Sequence, residues 1–407
     1  MCEHNQCCGI HSSKWIFYLV AITLGVIGGL SEIGIVEQIG KSCSEIFIRI
    51  FKCISMPIIS LSVIVALTGS GSDKTMNRLW RKALKYTLTT TVVAATVSAI
   101  LYLIISPSNV GMNFDTPENS IVNTDYTKYL LEIIPDNIIG AFSEHKVLSI
   151  LLISVIFGIS IRSIEDTKAK EVLKSFFDGL HSIFFTITKF IVKILPLGLF
   201  GFVLVSVKEL RDGMDLNGMG KYFLVIILAN ILQGLVVLPA VLAVKKINPL
   251  RNFKAMMPVL SVAFFTKSSS GTLPLTIEAA EQRLGVKQEV SRFVLPLCTT
   301  INMNGCAAFI FTTVVYIMQN YGIEISGLTI LTWILISTLA AVGNAGVPMG
   351  CFFLSASLLS SMDVPMPLLG MILPIYSVID MLETSLNVWS DSCVASIVNK
   401  ESENYLV

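Results

Sequence analysis

Charge is scarce in this chain. Only 14% of its 407 residues are Asp, Glu, Lys or Arg, against about a quarter in an ordinary soluble domain. Hydrophobic residues make up 53%, and the mean hydropathy is +0.74. That balance excludes a soluble globular protein of usual composition. Histidine is scarcer still: His4, His11, His145 and His181 are the four present, and none lies near the polar interruptions described below. Neither HExxH nor GxSxG occurs, so the sequence offers no grounds for an enzyme such as an intramembrane hydrolase. A net charge of +1 says nothing for nucleic acid, and the basic residues lie in short loops instead. Cysteine is not lacking, but most of the nine residues sit in or beside apolar runs, so no disulfide framework is expected. The N-terminal group Cys2, His4, Cys7, Cys8 and His11 matches no zinc spacing well and reads as a reduced cytoplasmic tail, with metal binding or palmitoylation as alternatives.

What the chain does have is long apolar runs. Residues 15–34, 44–69, 84–106, 147–161 (with an apolar lead-in from Tyr129), 176–206 and 219–244 approach or exceed the roughly 20 residues that cross a bilayer as helix. The first follows a polar stretch, 1–14, and is too long for a signal-peptide core, so the N-terminus is expected to be retained. After residue 244 the pattern changes. A short apolar run at 256–266 ends in Lys267-Ser-Ser-Ser-Gly-Thr272, and a second short run follows. A long segment, 291–318, is broken by Thr299-Thr-Ile-Asn-Met-Asn-Gly305. The plan then recurs: 328–342, the tip Gly343-Asn-Ala-Gly-Val-Pro-Met-Gly350, a return at 351–362, and a long polar-interrupted segment at 366–398. Paired short, Gly- or Pro-interrupted runs are the best sequence pointer to a midplane transport site. Their bare tips must be buried in protein or line water. The expected fold is an all-α polytopic membrane protein, with eight transmembrane helices and two re-entrant helical hairpins.

Loop charge sets the expected orientation. Residues 70–85 hold Lys74, Arg78, Arg81, Lys82 and Lys85 against Asp73, and the loops at 162–174 and 245–254 are also basic. The loop at 107–127 has no Lys or Arg. The positive-inside rule then makes the basic loops and both termini cytoplasmic. The first hairpin enters from the cytoplasm and the second from outside, which makes the repeat inverted. Short loops and the lack of an organelle presequence favour a bacterial inner membrane.

The last long segment carries the strongest chemical signal. Asp380, Glu383, Thr384, Asn387 and Asp391 fall within an arc of roughly 100° on one helical face. Carboxylates at membrane depth need cations, protons or donors opposite them. At the first tip, Ser268–Ser270 offers hydroxyls and, if a half-helix begins there, a positive dipole end suited to a carboxylate; a plain Ser-rich turn is the alternative. The break at Asn302-Met-Asn-Gly305 frees carbonyls and adds amide oxygens, a donor set for hard cations; a simple kink is the bland reading, and two asparagines argue against it.

Thr266-Lys-Ser-Ser-Ser-Gly-Thr-Leu-Pro274, Thr300-Ile-Asn-Met-Asn-Gly305, Gly343-Asn-Ala-Gly-Val-Pro348 and Asp380 through Asp391 resemble signature segments of the glutamate/neutral amino acid transporter family, the dicarboxylate/amino acid:cation symporters. Ile134-Pro-Asp-Asn137 and Met56-Pro-Ile58 are similar to further family segments, and the resemblance runs from about residue 15 to 400. It implies a homotrimer with an elevator motion and the second hairpin as outer gate. After a cytoplasmic tail (1–14), the scaffold would be 15–69 and 128–206. The transport domain would be 84–106, 219–246 and the core 253–400. Asp380 matches the carboxylate that holds the substrate ammonium. Ser269, Ser270 and Val347 match groups contacting its backbone carboxylate, and Thr384 and Asn387 belong to the same site. Asn302, Asn387 and Asp391 match a sodium site, with Cys298 at a carbonyl donor position. Thr300 and the segment Ala341, Val342, Gly343 and Asn344 match a second. Tyr86, Thr89 and Thr90, with Asn302, match part of a third.

The departures bear on specificity. Asn304 stands where the family has Asp, which removes a full charge from the third sodium site and is expected to weaken, abolish or change it. Cys306 replaces a hydroxyl that helps hold an acidic side chain in acidic-substrate members; packing of a small apolar residue is its other reading. Glu383 stands where acidic amino acid transporters place an arginine. An arginine fork grips a carboxylate, whereas a glutamate repels one. The expected activity is symport of a neutral or cationic amino acid coupled to Na⁺, with H⁺ as a second candidate coupling ion through a protonated Glu383. A Glu383 compensated by Lys267 would instead allow glutamate, aspartate or a dicarboxylate. An uncoupled channel or sensor is the alternative of another class.

Overall fold

The computed structural model describes residues 7–31, 33–68, 74–110, 134–143, 147–211, 216–344, 349–362 and 364–402. Among them every regular element is helical. The helices are α1 (Cys7–Leu30), α2 (Gly34–Thr68), α3 (Lys74–Ile105), α4 (Ile138–Ser143), α5 (Val147–Ser163), α6 (Thr167–Arg211) and α7 (Leu216–Leu232). A π-helical turn at Gln233–Val237 leads into α8 (Leu238–Val244). Then come α9 (Pro249–Thr266), α10 (Ser269–Gln282), α11 (Gln288–Ile301), α12 (Asn304–Asn320), α13 (Gly327–Val342), α14 (Gly350–Ser361) and α15 (Pro367–Ser402).

Among the described residues, four stretches are long and apolar enough to cross a membrane: Met76–Ile105, Asn217–Val244, Gln288–Asn320 and Pro367–Ser402. A fifth is the bent pair Thr167–Thr188 and Lys193–Val205, which turns by 51° with Pro196 inside α6. Helices α1, α2 and α5 carry apolar stretches at Leu19–Leu30, Met56–Val65 and Ser149–Ser163. Their outward faces carry exposed Leu24, Ile27, Ile39, Ile46 and Ile156, as expected of helices facing lipid or a partner helix rather than water.

Two helix groups share the core. Helices α1, α2, α5 and α6 pack on one another. Helix α3 and the elements from α7 onward gather around α12 and α15. Helix α12 is buried from Asn304 to Met318, and α15 is buried over most of its length. The ends of the shorter helices are explained by local chemistry. The Asn248 side chain accepts the Arg251 N–H at 3.1 Å ahead of Pro249, a capped start with proline where its missing N–H costs nothing. Ser326 and Thr329 form a reciprocal capping box for α13. The left-handed Lys267 (φ 53°) ends α9, and the Ser268 hydroxyl accepts the Gly271 N–H at 3.0 Å to begin α10. This one tip explains why the Ser-rich segment lies where it does: it turns the chain and starts a new helix in two residues.

Candidate substrate and cation site

The break between α11 and α12 makes the site. Asn302 (φ −96°, ψ 73°) and Met303 (φ −109°, ψ 65°) leave helical geometry, and α15 crosses this gap. Gly305 permits the crossing: a Cβ there would stand 2.8 Å from the Glu383 Cα and 2.9 Å from the Asn230 Oδ1. Both are tighter than packed atoms tolerate, so Gly305→Ala is expected to cost about 1–3 kcal/mol through forced backbone shifts. A thermal melt in detergent checks this, with an unshifted melt counting against so close a crossing. The Gly305 N–H donates to the Asn387 Oδ1 at 2.9 Å, which ties the start of α12 to the stripe.

All five stripe residues are buried on one face of α15. Two sub-sites emerge. The first is a web of oxygen and amide groups. The Asn302 Nδ2 donates to the Asp391 Oδ1 and to the Ser390 Oγ, each at 2.9 Å. The Thr299 hydroxyl reaches the Asp391 Oδ2 at 3.4 Å, and the Thr90 hydroxyl donates to the Asn302 Oδ1 at 3.3 Å. Asn304 sits in the middle. Its Nδ2 faces the Ser390 Oγ at 2.7 Å, the Asn302 Oδ1 at 3.0 Å and the Thr90 Oγ1 at 3.4 Å. Its Oδ1 accepts from the Gln233 Nε2 at 2.9 Å, and that nitrogen also donates to the Thr90 carbonyl at 3.1 Å. Gln233 opens the π-helical turn, a distortion frequent at functional positions. The neighbouring Gly234 carbonyl accepts the Trp389 indole N–H at 3.0 Å.

The second sub-site lies two turns earlier on α15. Glu383 is 1% exposed, and neither of its oxygens has a hydrogen-bond partner. The Tyr376 hydroxyl stands beside it, in an aromatic wall with Phe309 and Phe352. Opposite lie Cys306 on α12 and Cys351 on α14, which the structure joins as a disulfide with Cα atoms 5.3 Å apart. That pairing departs from the expectation of scattered, unpaired cysteines, because 45 residues of sequence separate two positions that the fold makes neighbours. Asn344 Nδ2 donates to the Cys306 Sγ at 3.0 Å and the Cys351 Sγ at 3.5 Å. Lys267 does not reach Glu383 by a hydrogen bond; its Nζ donates to the Ser377 Oγ at 2.9 Å, one turn before Asp380.

The remaining residues fall in different places. Ser269 is buried at the start of α10 and Ser270 is exposed; first-turn N–H groups such as theirs have no intrahelical acceptor. The Cys298 carbonyl already accepts the Asn302 N–H at 2.7 Å and keeps a second lone pair. The Thr300 hydroxyl bonds its own helix at Pro296 O, 3.1 Å. Ala341 and Asn344 are buried and Val342 is half-buried. Tyr86 meets the web through its carbonyl, which accepts from the Thr90 hydroxyl at 3.0 Å. Its hydroxyl belongs elsewhere, to Lys245 and Glu401. Thr89 is not brought to the web: it is exposed and bonds Lys85 O at 2.7 Å, because a neighbour one residue on occupies the inward face. Val347 lies outside the described residues.

The family model for the sodium:dicarboxylate symporter family matches residues 15–401. The chain belongs to this family. Among curated relatives, neutral amino acid transporter B(0) of Oryctolagus cuniculus is 28% identical, with 93% of this chain and 77% of that protein aligned. The proton/sodium-glutamate symport protein of Geobacillus stearothermophilus is 27% identical over 95% and 94% of the two chains. Excitatory amino acid transporter 2 of Homo sapiens is 28% identical over 89% and 73%. This family member is therefore an integral, multi-pass membrane transporter and not an enzyme. Its relatives include both neutral and acidic amino acid carriers, so family membership leaves the side-chain preference to the residues of the site.

Proposed function

We propose that this chain is a Na⁺-coupled symporter of neutral or cationic amino acids. The observation that carries the reading is Glu383, a carboxylate 1% exposed, without a hydrogen-bond partner, three residues from Asp380 on the same buried face. Buried carboxylates left unmatched are costly, and they are matched by cations or donors. A substrate whose side chain brings a donor or a positive charge supplies that match. A second carboxylate opposes it. In this reading Asp380 holds the substrate ammonium and the first-turn N–H groups of α10 hold its carboxylate. The side chain points toward Glu383, Cys306 and Tyr376. H⁺ is the coupling partner that Glu383 would carry when the substrate side chain brings no charge.

The oxygens of Thr299, Ser390 and Asp391, bridged by the Asn302 amide nitrogen, make a hard-cation donor set and are the proposed sodium site. At Asn304 an amide nitrogen points at the oxygens of Thr90, Asn302 and Ser390, where a cation would otherwise be coordinated. Its hydrogens take the place of that charge, so coupling here uses one sodium fewer than in members with Asp. We further propose the elevator arrangement, with α1, α2, α5 and α6 as a trimeric scaffold in a bacterial inner membrane and both termini cytoplasmic.

Coupling is tested by loading proteoliposomes with K⁺ and imposing an inward Na⁺ gradient. Labelled neutral or cationic amino acid should accumulate above equilibrium and leave again when a Na⁺ ionophore collapses the gradient. Equilibration without accumulation would instead make the protein a channel or a sensor.

A further inference from the structure

The Cys306, Cys351 and Glu383 side chains come from three different helices: α12, α14 and α15. One ligand atom from each lies within 4.8 Å of the others, and all three residues are buried. We propose that, in its dithiol form, this trio is a binding site for a borderline-soft divalent cation of the Zn²⁺ or Cd²⁺ type, one that inhibits transport.

Three features support a built site. The donor set is two sulfurs and one carboxylate oxygen, which suits zinc-like ions and not sodium, a hard cation served by oxygen alone. The Glu383 carboxylate is 1% exposed and neither oxygen is hydrogen-bonded, so it is a ligand atom without a partner, aimed into the cluster. Amide donors also surround the sulfurs. The Asn344 Nδ2 reaches both, at 3.0 and 3.5 Å, and the Asn387 Nδ2 reaches the Cys306 Sγ at 3.5 Å. Hydrogen bonds of this kind are how neighbouring residues orient and stabilise metal-bound thiolates. When the ion binds, each thiol loses its proton to solvent, and three protein ligands leave a fourth tetrahedral position for water. The disulfide seen in the structure is the state that cannot bind, since its sulfurs no longer carry thiolate charge.

The consequence is a lock. The ion would fix α14 to α12 and α15 and fill the space assigned above to the substrate side chain. Metal and amino acid would then exclude one another; this second half rests on the transport reading, whereas the binding itself does not.

The test uses the full-length protein in detergent, reduced and then freed of reductant, titrated with Cd²⁺ while the ultraviolet thiolate-to-cadmium charge-transfer band is recorded. Other cysteines give their own band, so the comparison is with Cys351→Ser, Cys306→Ser and, as an unrelated control, Cys43→Ser. Each of the first two should lose one tight equivalent of Cd²⁺, and Cys43→Ser none. Glu383→Gln should keep the band and weaken binding at least about tenfold. Diamide, which takes up the two hydrogens as the sulfurs join, should remove the same equivalent from the wild-type protein. Folding of each variant is checked by its thermal melt. An equal number of tight equivalents in wild type, Cys351→Ser and Cys306→Ser would overturn the site. A lost equivalent together with amino acid uptake that Cd²⁺ leaves unchanged would keep the site and sink the proposed position of the substrate side chain.

Discussion

Glu383→Arg is expected to reverse the charge preference of the carrier. Wild-type protein should take up neutral or cationic amino acids and reject aspartate. The arginine variant should favour aspartate by a ratio of kcat/KM shifted by at least about 100-fold. The estimate follows from charge juxtaposition. Placing like charges together in a dehydrated site costs several kcal/mol, and about 3 kcal/mol corresponds to that factor. An arginine at this position would present a fork to a distal carboxylate. Glu383→Gln is the gentler companion, because it keeps the volume and removes the charge. It should lose preference for cationic over neutral substrates without gaining aspartate. Competition of unlabelled amino acids against a labelled substrate in proteoliposomes reads both variants. An unchanged ranking in both would show that Glu383 does not face the substrate.

The second large effect is expected at Asn304. Asn304→Asp replaces an amide nitrogen that donates to the Ser390, Asn302 and Thr90 oxygens with a carboxylate oxygen that repels the Asn302 Oδ1 and has only the Ser390 and Thr90 hydroxyls to accept from. A buried carboxylate among oxygen donors needs a cation. The variant should therefore bind one more Na⁺ per transport cycle, read as a change in the reversal potential of substrate-driven current in proteoliposomes. Its melting temperature should also rise with Na⁺ more steeply than the wild type's, since an ion that binds only the folded state stabilises it by mass action. A reversal potential identical to the wild type's would contradict the assignment of the amide as a substitute for charge.

Much of the candidate site is legible in the sequence, and the reasons are physical. Polar residues are so costly in an apolar helix that Asp380, Glu383, Asn387 and Asp391 stand out, and helical spacing alone puts them on one face. The break at Asn302-Met303 was legible because two amides interrupt an apolar run, and the tip at Ser268 because serine is a strong N-cap. The helices keep the order of the expected apolar runs, with α1, α2, α3, α6 and α9 all starting several residues earlier than hydropathy implied: amphipathic turns extend a helix past its apolar part.

Other parts were not legible for equally definite reasons. Thr299 begins the polar interruption at 299–305, but Ser390, which also holds the amide web together, has no such mark: serine in such helices usually bonds its own backbone. Gln233 did carry a signal, as a buried amide three residues after Asn230 in an apolar span. Its role became visible only through the π-helical turn that aims it at Asn304. Thr89 shows the converse: motif matching placed it in the web, but a 100° step from Thr90 puts it outside. The meeting of Cys306 with Cys351 depends on how α14 packs against α12, which no local pattern encodes.

The central claim is that a buried carboxylate at 383 decides what a sodium-driven carrier accepts. The most direct measurement is uptake of a panel of labelled amino acids into proteoliposomes under an imposed Na⁺ gradient, with acidic, neutral and basic members assayed side by side. Na⁺-dependent accumulation of neutral or basic amino acids, with aspartate and glutamate at background, is the result expected. Preferential, Na⁺-dependent accumulation of aspartate or glutamate would contradict it.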